Sequence, residues 1–417
     1  MAYPLSLRLE PEIQDPRIAE YTYLERHSGG GTQTYSKHSA NSELPKEFQP
    51  KTHFPPFGLP VVSIPKPAVL VVLADPHPDL LQKYVGCGDH VAFCVHPAHL
   101  GNSEDPHMQT ILKMQRLSPL TVVPTASSRT VTVLTDSIMP HAVKTHCPLR
   151  ISYYHRTLDE NTIRHSVTLS KELAKTVAFL PETIGVALPE KDGKSGWGFI
   201  IREMIPRPAA PNPRKLIPCF ALYGTDLDHP EEPPLLVKMI QKSGQNPKKY
   251  ILNHIMYPII TDFITVFKTH GVLLEAHGQN SLLEVDEDFL PTRIVHRDFD
   301  ESVDARVRRS LDLSLEGLNP EQIIDQPSEE EPEGSVHSYV YDASIGRVHF
   351  RYLAEMAEQF FGVKVSDFQE ACKAKFLELF PDHANYFPRC TYTLGAKAIR
   401  PNVFPLIENQ DHPSWRP

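Results

Sequence analysis

Cysteine is scarce in this chain. There are six in 417 residues, Cys87, Cys94, Cys147, Cys219, Cys372 and Cys390, and no two form a C-x-x-C pair. That excludes a zinc ribbon, a thioredoxin-type redox pair and a disulfide scaffold, and it points to a reducing compartment. Positive charge is short as well. Lys and Arg number 42 against 51 Asp and Glu, a formal net charge of −9, whereas a nucleic-acid binder carries a basic surplus. Nucleic acid is therefore not the expected partner, although a local cationic pocket for anions remains open. No run approaches the roughly 18–20 apolar residues of a membrane span, and residues 1–12 hold no apolar stretch of signal-peptide length. The expected location is the cytoplasm, without a membrane partner. A glycine-rich phosphate loop and a V-A-I-K strand are also missing.

Proline, by contrast, is abundant: 40 residues, roughly twice average usage. The length suits two or three domains. Residues 1–62, with Gly29-Gly30-Gly31 and prolines at 45, 50, 55, 56 and 60, show no periodicity and read as an irregular N-terminal extension. Residues 63–205 read as β-rich. Apolar runs at 68–73, 91–95 and 121–123, the stretch 129–134, and 143–154 and 197–204 predict strands, the first of them buried, and 167–180 has helical spacing. The Pro-rich stretch 206–213 reads as a boundary, and 206–417 as a second domain. There, apolar residues at 3–4 spacing predict a helix over 249–270, kinked at Pro258 and stopped by Gly271. A hairpin over 281–295 and helices over 348–361 and 365–379 follow.

Four elements carry chemistry. Glu275-Ala276-His277-Gly278-Gln279-Asn280 follows an apolar strand directly and puts a carboxylate, an imidazole and two amides within six positions. The hairpin then returns Asp298 beside Asn280. Such an oxygen-rich pair suits Mg²⁺ carrying nucleotide phosphates; equally, such a cluster can be a polar turn with its hydrogen bonds satisfied. Ser127-Ser128-Arg129-Thr130 offers two hydroxyls and a guanidinium fork to phosphate or carboxylate oxygens, though taken alone it reads as a solvated loop. Lys144 and Arg156, with Ser152 between them, could hold phosphates on one face, or simply be solvated. In His96-Pro97-Ala98-His99, a single imidazole as anion donor is favoured over a metal pair, because no third ligand stands at a suggestive spacing.

Taken in order, these elements resemble the IucA/IucC family of NRPS-independent siderophore synthetases, the aerobactin-type enzymes. Val95-His96-Pro97 is similar to the family's internal His-Pro motif, Ser127-x-Arg129-Thr130 to its S-x-R-T loop, and Lys144 and Arg156 to its K…R pair, with Ser152 where Thr is usual. Glu275-x-His277-x-Gln279-Asn280 resembles its E-x-H-x-Q-N motif, and Arg297-Asp298 the R-D pair that follows. The earlier H-P-x-H-P-x-x-K motif is missing, so the chain reads as shortened at its N-terminus.

The resemblance implies an α/β (α+β) fold, with a fingers-like β-rich region and a larger palm carrying a kinase-like metal hairpin. It implies ATP and Mg²⁺ as cofactors, adenylation of a citrate-like polycarboxylic acid, and capture by an amine or alcohol. Ser127, Arg129, Thr130, Lys144, Arg156, Glu275, Gln279 and Asn280 would bind nucleotide. Glu275, Asn280 and Asp298 would hold the metal. His96, Ser152 and His277 would bind the acid, and His277, Arg156 and Lys144 would act in catalysis. A homodimer is the default assembly. Replacing Arg129 or Lys144 by Ala should abolish nucleotide-dependent turnover with the fold intact. Two other readings compete. The Asn280…Asp298-Phe299 pattern also fits a kinase-like phosphotransferase, and the missing motif fits a nucleotide-binding paralogue without turnover.

Overall fold

The computed structural model describes residues 5–417 except 12, 30–41, 51–53, 87, 103, 135–138, 153, 192, 194, 211, 213, 330, 400–401 and 410. Gly30, Gly31 and Cys87 therefore lie outside the described residues, as do parts of the Pro-rich stretch 206–213.

The fold is mixed α/β. Its largest sheet has seven antiparallel strands in the order Phe57–Leu59, Leu120–Pro124, Thr130–Val133, His141–Thr145, Gly198–Glu203, Glu182–Ala187 and Leu70–Leu73. The four strands between Leu120–Pro124 and the Leu70–Leu73 edge are buried at every position, so alternation along them separates two covered faces rather than core from solvent. One face, with Val131, Val143, Ile184, Val186, Phe199 and Ile201, packs an apolar core against the small sheet of His90–Cys94, Val61–Pro65 and Gln115–Arg116. The opposite face carries Thr130, Lys144, Glu182 and Arg202, all buried.

Helix Glu160–Glu172 covers part of that polar face. It starts earlier than the 167 expected from spacing, because the Asp159 side chain accepts the Thr162 N–H at 2.8 Å and caps it there. Its close approach needs Gly185: a Cβ on that residue would come within 2.5 Å of Ile163 Cγ2. Leu70–Leu73 is a half-exposed edge strand, not the buried strand expected, since only Glu182–Ala187 flanks it.

In the C-terminal half, a second apolar core surrounds the helical run Pro247–His270. The run is long and apolar enough, by length and composition, to cross a membrane. Its Ile251, Ile255, Ile259, Phe263 and Phe267 are instead buried in this core, each contributing about 1.5–3 kcal/mol relative to exposure. The expected disturbance at Pro258 takes the form of a π turn, Leu252–Met256, just before the proline. Gly271 ends the helix at φ 65°, as its position predicted. The helix expected over 348–361 starts at Ser335 and runs through a π stretch, Tyr339–Phe350, before Arg351–Phe361. Val365–Leu379 matches its expectation.

The predicted hairpin forms as Ser281–Val285 and Pro291–His296, with Lys215–Pro218 as a third strand. Segment 178–180 joins the two halves. Leu180 N–H donates to His296 O (2.9 Å) and His296 N–H to Ala178 O (2.8 Å), which seats the end of the hairpin over the polar face of the large sheet.

The N-terminal residues are not irregular throughout. Pro16–His27 is a helix, and Phe57–Leu59 and Val61–Pro65 are strands. The helix escapes apolar periodicity because its buried residues include Glu20, Thr22, Glu25, Arg26 and His27. Polar contacts dock it together with Ile18, Tyr21 and Leu24, which join apolar clusters: Lys215 to Glu20 at 2.6 Å, Tyr23 to Asp226 at 3.1 Å, and Arg26 to Glu10.

Candidate active site

The S-x-R-T turn links two antiparallel strands and is closed by its own hydroxyls. Thr125 Oγ1 donates to Thr130 O at 2.8 Å, and Ser127 Oγ accepts the Thr130 N–H at 3.3 Å. Ser128 takes the left-handed conformation at φ 64°. The Arg129 guanidinium turns inward and donates to the carbonyls of Arg156 (3.2 Å) and Thr157 (2.8 Å). Arg129 thus ties the turn to the segment bearing the arginine of the K…R pair. Burial, then Arg156, lowers its pKa, and Asp298 and Asp300 oppose this; a guanidinium stays charged regardless.

Register places Lys144 opposite Thr130 on one side and Ile200 on the other. Its ammonium, fully buried, pairs with Asp298 and lies 3.6 Å from Glu182. Arg202 completes a quartet, 2.6 Å from Glu182 and 3.9 Å from Asp298. Burial raises the Asp298 pKa, but Lys144 and then Arg202 overcome it and hold the carboxylate well below the usual range.

Glu275, Asp300 and Glu301 behave oppositely. Burial, then Asp300 and Asp298, pushes Glu275 up to about 7. Burial also drives Asp300 up to about 6, and Glu301 well above the usual range with Glu275 as its next cause. Glu301 Oε2 accepts the Glu275 N–H at 2.9 Å. Four carboxylates in two short segments thus crowd a site where Lys144 already neutralises one. They do not form a closed cage. Among the described residues, only His229, Glu231 and Glu232, in a surface loop, bring acidic or imidazole ligand atoms all within 4.8 Å of one another.

His277 fixes the E-x-H-x-Q-N turn from within. Its Nδ1 accepts the N–H groups of Gln279 and Asn280, each at 3.2 Å, and its carbonyl accepts that of Ser281 at 3.0 Å. Burial, then His349, lowers its pKa to about 3. An imidazole whose Nδ1 accepts carries its proton on Nε2, so His277 is a neutral donor. Arg297 N–H donates to Asn280 O at 2.9 Å, which places Asn280 beside the R-D pair as the spacing predicted. Arg297 itself faces inward, with its Nε on Gln279 O at 2.8 Å.

The Arg156 side chain lies over Tyr154 at 5.9 Å and acts electrostatically on Glu275, Arg129 and His277. Two residues expected in the site are placed apart from these contacts. Ser152 sits at φ 64° beside the short hairpin of Arg150–Ile151 and Tyr154–His155. His96 caps the turn Pro97–His99, its Nδ1 accepting the Ala98 N–H at 3.2 Å, among Phe48, Phe57 and His99. It too is neutral, lowered to about 4 by burial, and its buried Nε2 has no partner among the described residues. Sequence reasoning missed Glu182, Arg202, Asp300 and Glu301. The last two run on directly from Asp298 and were visible as D-F-D-E; the first two gave no signal beyond being charged residues near strands.

Comparison with known proteins now bears on this arrangement. A family model described as the IucA/IucC family matches residues 70–224. The matched segment contains the S-x-R-T turn, Lys144 and Arg156. A second model, described as the ferric iron reductase FhuF-like transporter, matches residues 255–364 and spans the E-x-H-x-Q-N and R-D motifs. The L-2,3-diaminopropanoate–citrate ligase of Staphylococcus aureus is 27% identical over 226 residues, 49% of this chain and 36% of the relative. The match thus spans about a third of that curated relative's length. The fold is shared with the petrobactin biosynthesis protein AsbB of Bacillus anthracis, with TM-score 0.67 and 15% identity over 95% of this chain and 79% of the other. It is also shared with the ATP-bound aerobactin synthetase IucA of Klebsiella pneumoniae, with TM-score 0.65 and 14% identity over 94% and 79%.

Proposed function

We propose that this protein is a cytoplasmic ATP-dependent ligase. It adenylates one carboxylate of a citrate-like polycarboxylic acid and passes the acyl group to an amine or alcohol, in siderophore or related biosynthesis. The observation that carries this reading is the meeting of the S-x-R-T turn, Lys144, Arg156 and the Glu275–Asp298 acidic segment across the junction of the two sheets. The citrate ligase relative and the ATP-bound neighbour support it. The proposed division of the chain, an N-terminal extension 1–62, fingers 63–205 and palm 206–417, puts the reacting groups at the seam between fingers and palm.

In this reading Ser127, Arg129, Thr130, Lys144 and Arg156 face the phosphates. Cations preset around an in-line displacement stabilise charge without reorganising. A substrate carboxylate oxygen attacks the α-phosphorus and pyrophosphate leaves; the amine nitrogen or hydroxyl oxygen then attacks the acyl carbon and AMP leaves. His277 donates its Nε2–H toward the acid or the oxyanion, and Gln279 and Asn280 stand on the same turn. Mg²⁺ fits the donor set. Glu275, Asp298 and the Asn280 amide supply only oxygen, and the raised pKa values of Glu275 and Asp300 mark a site short of positive charge. A bound Mg²⁺ would offset phosphate charge there. The segment matched to the iron reductase description contains no cysteine, so thiolate ligation of an iron–sulfur centre is not open to it.

The test is product analysis with ATP, Mg²⁺, a panel of di- and tricarboxylic acids and hydroxylamine as acceptor. Acid-dependent AMP, pyrophosphate and hydroxamate support the ligase. Acid-dependent ADP would replace it with a phosphotransferase-like reaction. ATP binding without turnover on any acid would leave a nucleotide-binding paralogue.

A further inference from the structure

The helix Pro16–His27 reaches both halves of the candidate site through one carboxylate. Glu25 is fully buried. Its Oε2 accepts the N–H of Ala126, the residue before Ser127, at 2.8 Å. Its Oε1 lies 2.7 Å from Arg297 Nη1. One turn earlier, the buried Tyr21 hydroxyl accepts from the same guanidinium, and Arg297 Nε donates to Gln279 O. A single chain of contacts therefore runs from the S-x-R-T turn through Glu25 and Arg297 to the E-x-H-x-Q-N turn, with Asp298 next along the backbone.

We propose that Glu25 is a positioning residue that clamps the S-x-R-T turn to the R-D and E-x-H-x-Q-N segment, fixing the spacing between the phosphate-facing and metal-facing sides of the site. The clamp is a feature of the fold, and its effect on nucleotide rests on the function proposed above. Three observations favour it over ordinary packing. The carboxylate uses one oxygen for each half of the site. The carboxylate is held by a hydrogen bond on one side, from Ala126 N–H, and by a close buried ion pair on the other, with Arg297. The buried guanidinium it meets is held by Glu25, Tyr21 and the Gln279 carbonyl, and the Arg297 backbone N–H by the Asn280 carbonyl, so this arginine ties protein segments together.

Glu25→Gln keeps the shape and an oxygen for Ala126 while removing the charge facing Arg297; Tyr21→Phe removes only the hydroxyl. Two readouts are measured on the full-length protein. Amide hydrogen exchange of segment 125–130 reports the clamp without nucleotide. The Kd for Mg²⁺·ATP, with KM for acid and acceptor, reports its effect on the site. The expected result is faster exchange at 125–130 and about a tenfold or larger rise in ATP Kd for Glu25→Gln, the scale of one charge-assisted bond lost. Tyr21→Phe should move both less, and KM for acid and acceptor should stay near wild type. Unchanged exchange in both variants overturns the clamp. So does a loss confined to the yield of folded protein, with wild-type ATP Kd in what remains. Wild-type protein that binds no ATP overturns the nucleotide reading, while faster exchange in Glu25→Gln would still support the clamp.

Discussion

Lys144→Met tests the centre of the site most directly. Methionine fills similar space, so the change removes charge rather than volume. Losing one partner of a buried ion pair costs about 3–5 kcal/mol when the other is left alone. Asp298 and Glu182 are not left alone: Arg202 stays 2.6 Å from Glu182 and 3.9 Å from Asp298. The Asp298 side chain is also 31% exposed. The expected cost is therefore about 2–3 kcal/mol, below the range for a charge left alone. This corrects the sequence-based expectation of an inert fold, because a lysine that reads as a solvated cation is wholly buried. The assay is urea unfolding of Lys144→Met, Asp298→Asn and the double variant, with ATP binding on each. The double variant should recover about 1 kcal/mol or more relative to the sum of the singles. Strict additivity, or a wild-type urea midpoint for Lys144→Met, would refute the coupled buried quartet. Wild-type ATP affinity in a folded Lys144→Met protein would refute its phosphate role.

The acidic segment predicts a pH effect. Glu275 binds its proton more tightly folded, about 7, than in its reference state at 4.5. The folded state therefore holds more protons in that window, and stability falls as pH rises from about 4.5 to 7. Mg²⁺ should reverse the fall and release protons near pH 6.5; a flat urea midpoint across the window would contradict the crowding. His277→Gln should raise KM for the acid or slow acyl transfer more than it weakens ATP binding, and equal loss of both in steady-state and binding assays would make the histidine purely structural. Gly185→Ala should destabilise by about 1–3 kcal/mol, the cost of overpacking, because its Cβ would meet Ile163; an unchanged thermal midpoint would mean helix Glu160–Glu172 can shift freely.

Much of the site's composition was legible before its geometry. Where a motif is local, spacing sufficed. Asn280 comes opposite Arg297, next along the chain from Asp298, because the antiparallel strands Ser281–Val285 and Pro291–His296 return the chain to its start. Gly271 stops its helix because only a residue at ease with positive φ can stand there. Where position depends on segments far apart, spacing was silent. His96, offered as an anion donor, caps a short turn among aromatic rings, and Ser152 sits beside a small hairpin. The role of Pro16–His27 was hidden for a different reason. Its residues 18–27 are all buried and mix charged with apolar side chains, so the hydrophobic period that betrays most helices is absent.

The sequence by itself determined the chemistry on offer: an S-x-R-T turn, a K…R pair, and carboxylate, imidazole and amide groups packed into six positions. It also determined the period of the long apolar helix and the hairpin that carries Asp298. Tertiary structure alone decided which charges meet. Lys144 lies 154 positions from Asp298 and Glu25 lies 101 from Ala126, and no local pattern encodes such pairs. Buried charges are tolerated only where a partner of opposite sign is held within a few ångströms. Whether Lys144, Glu25 and Arg297 are surface residues or buried, paired ones is thus decided only by the tertiary structure.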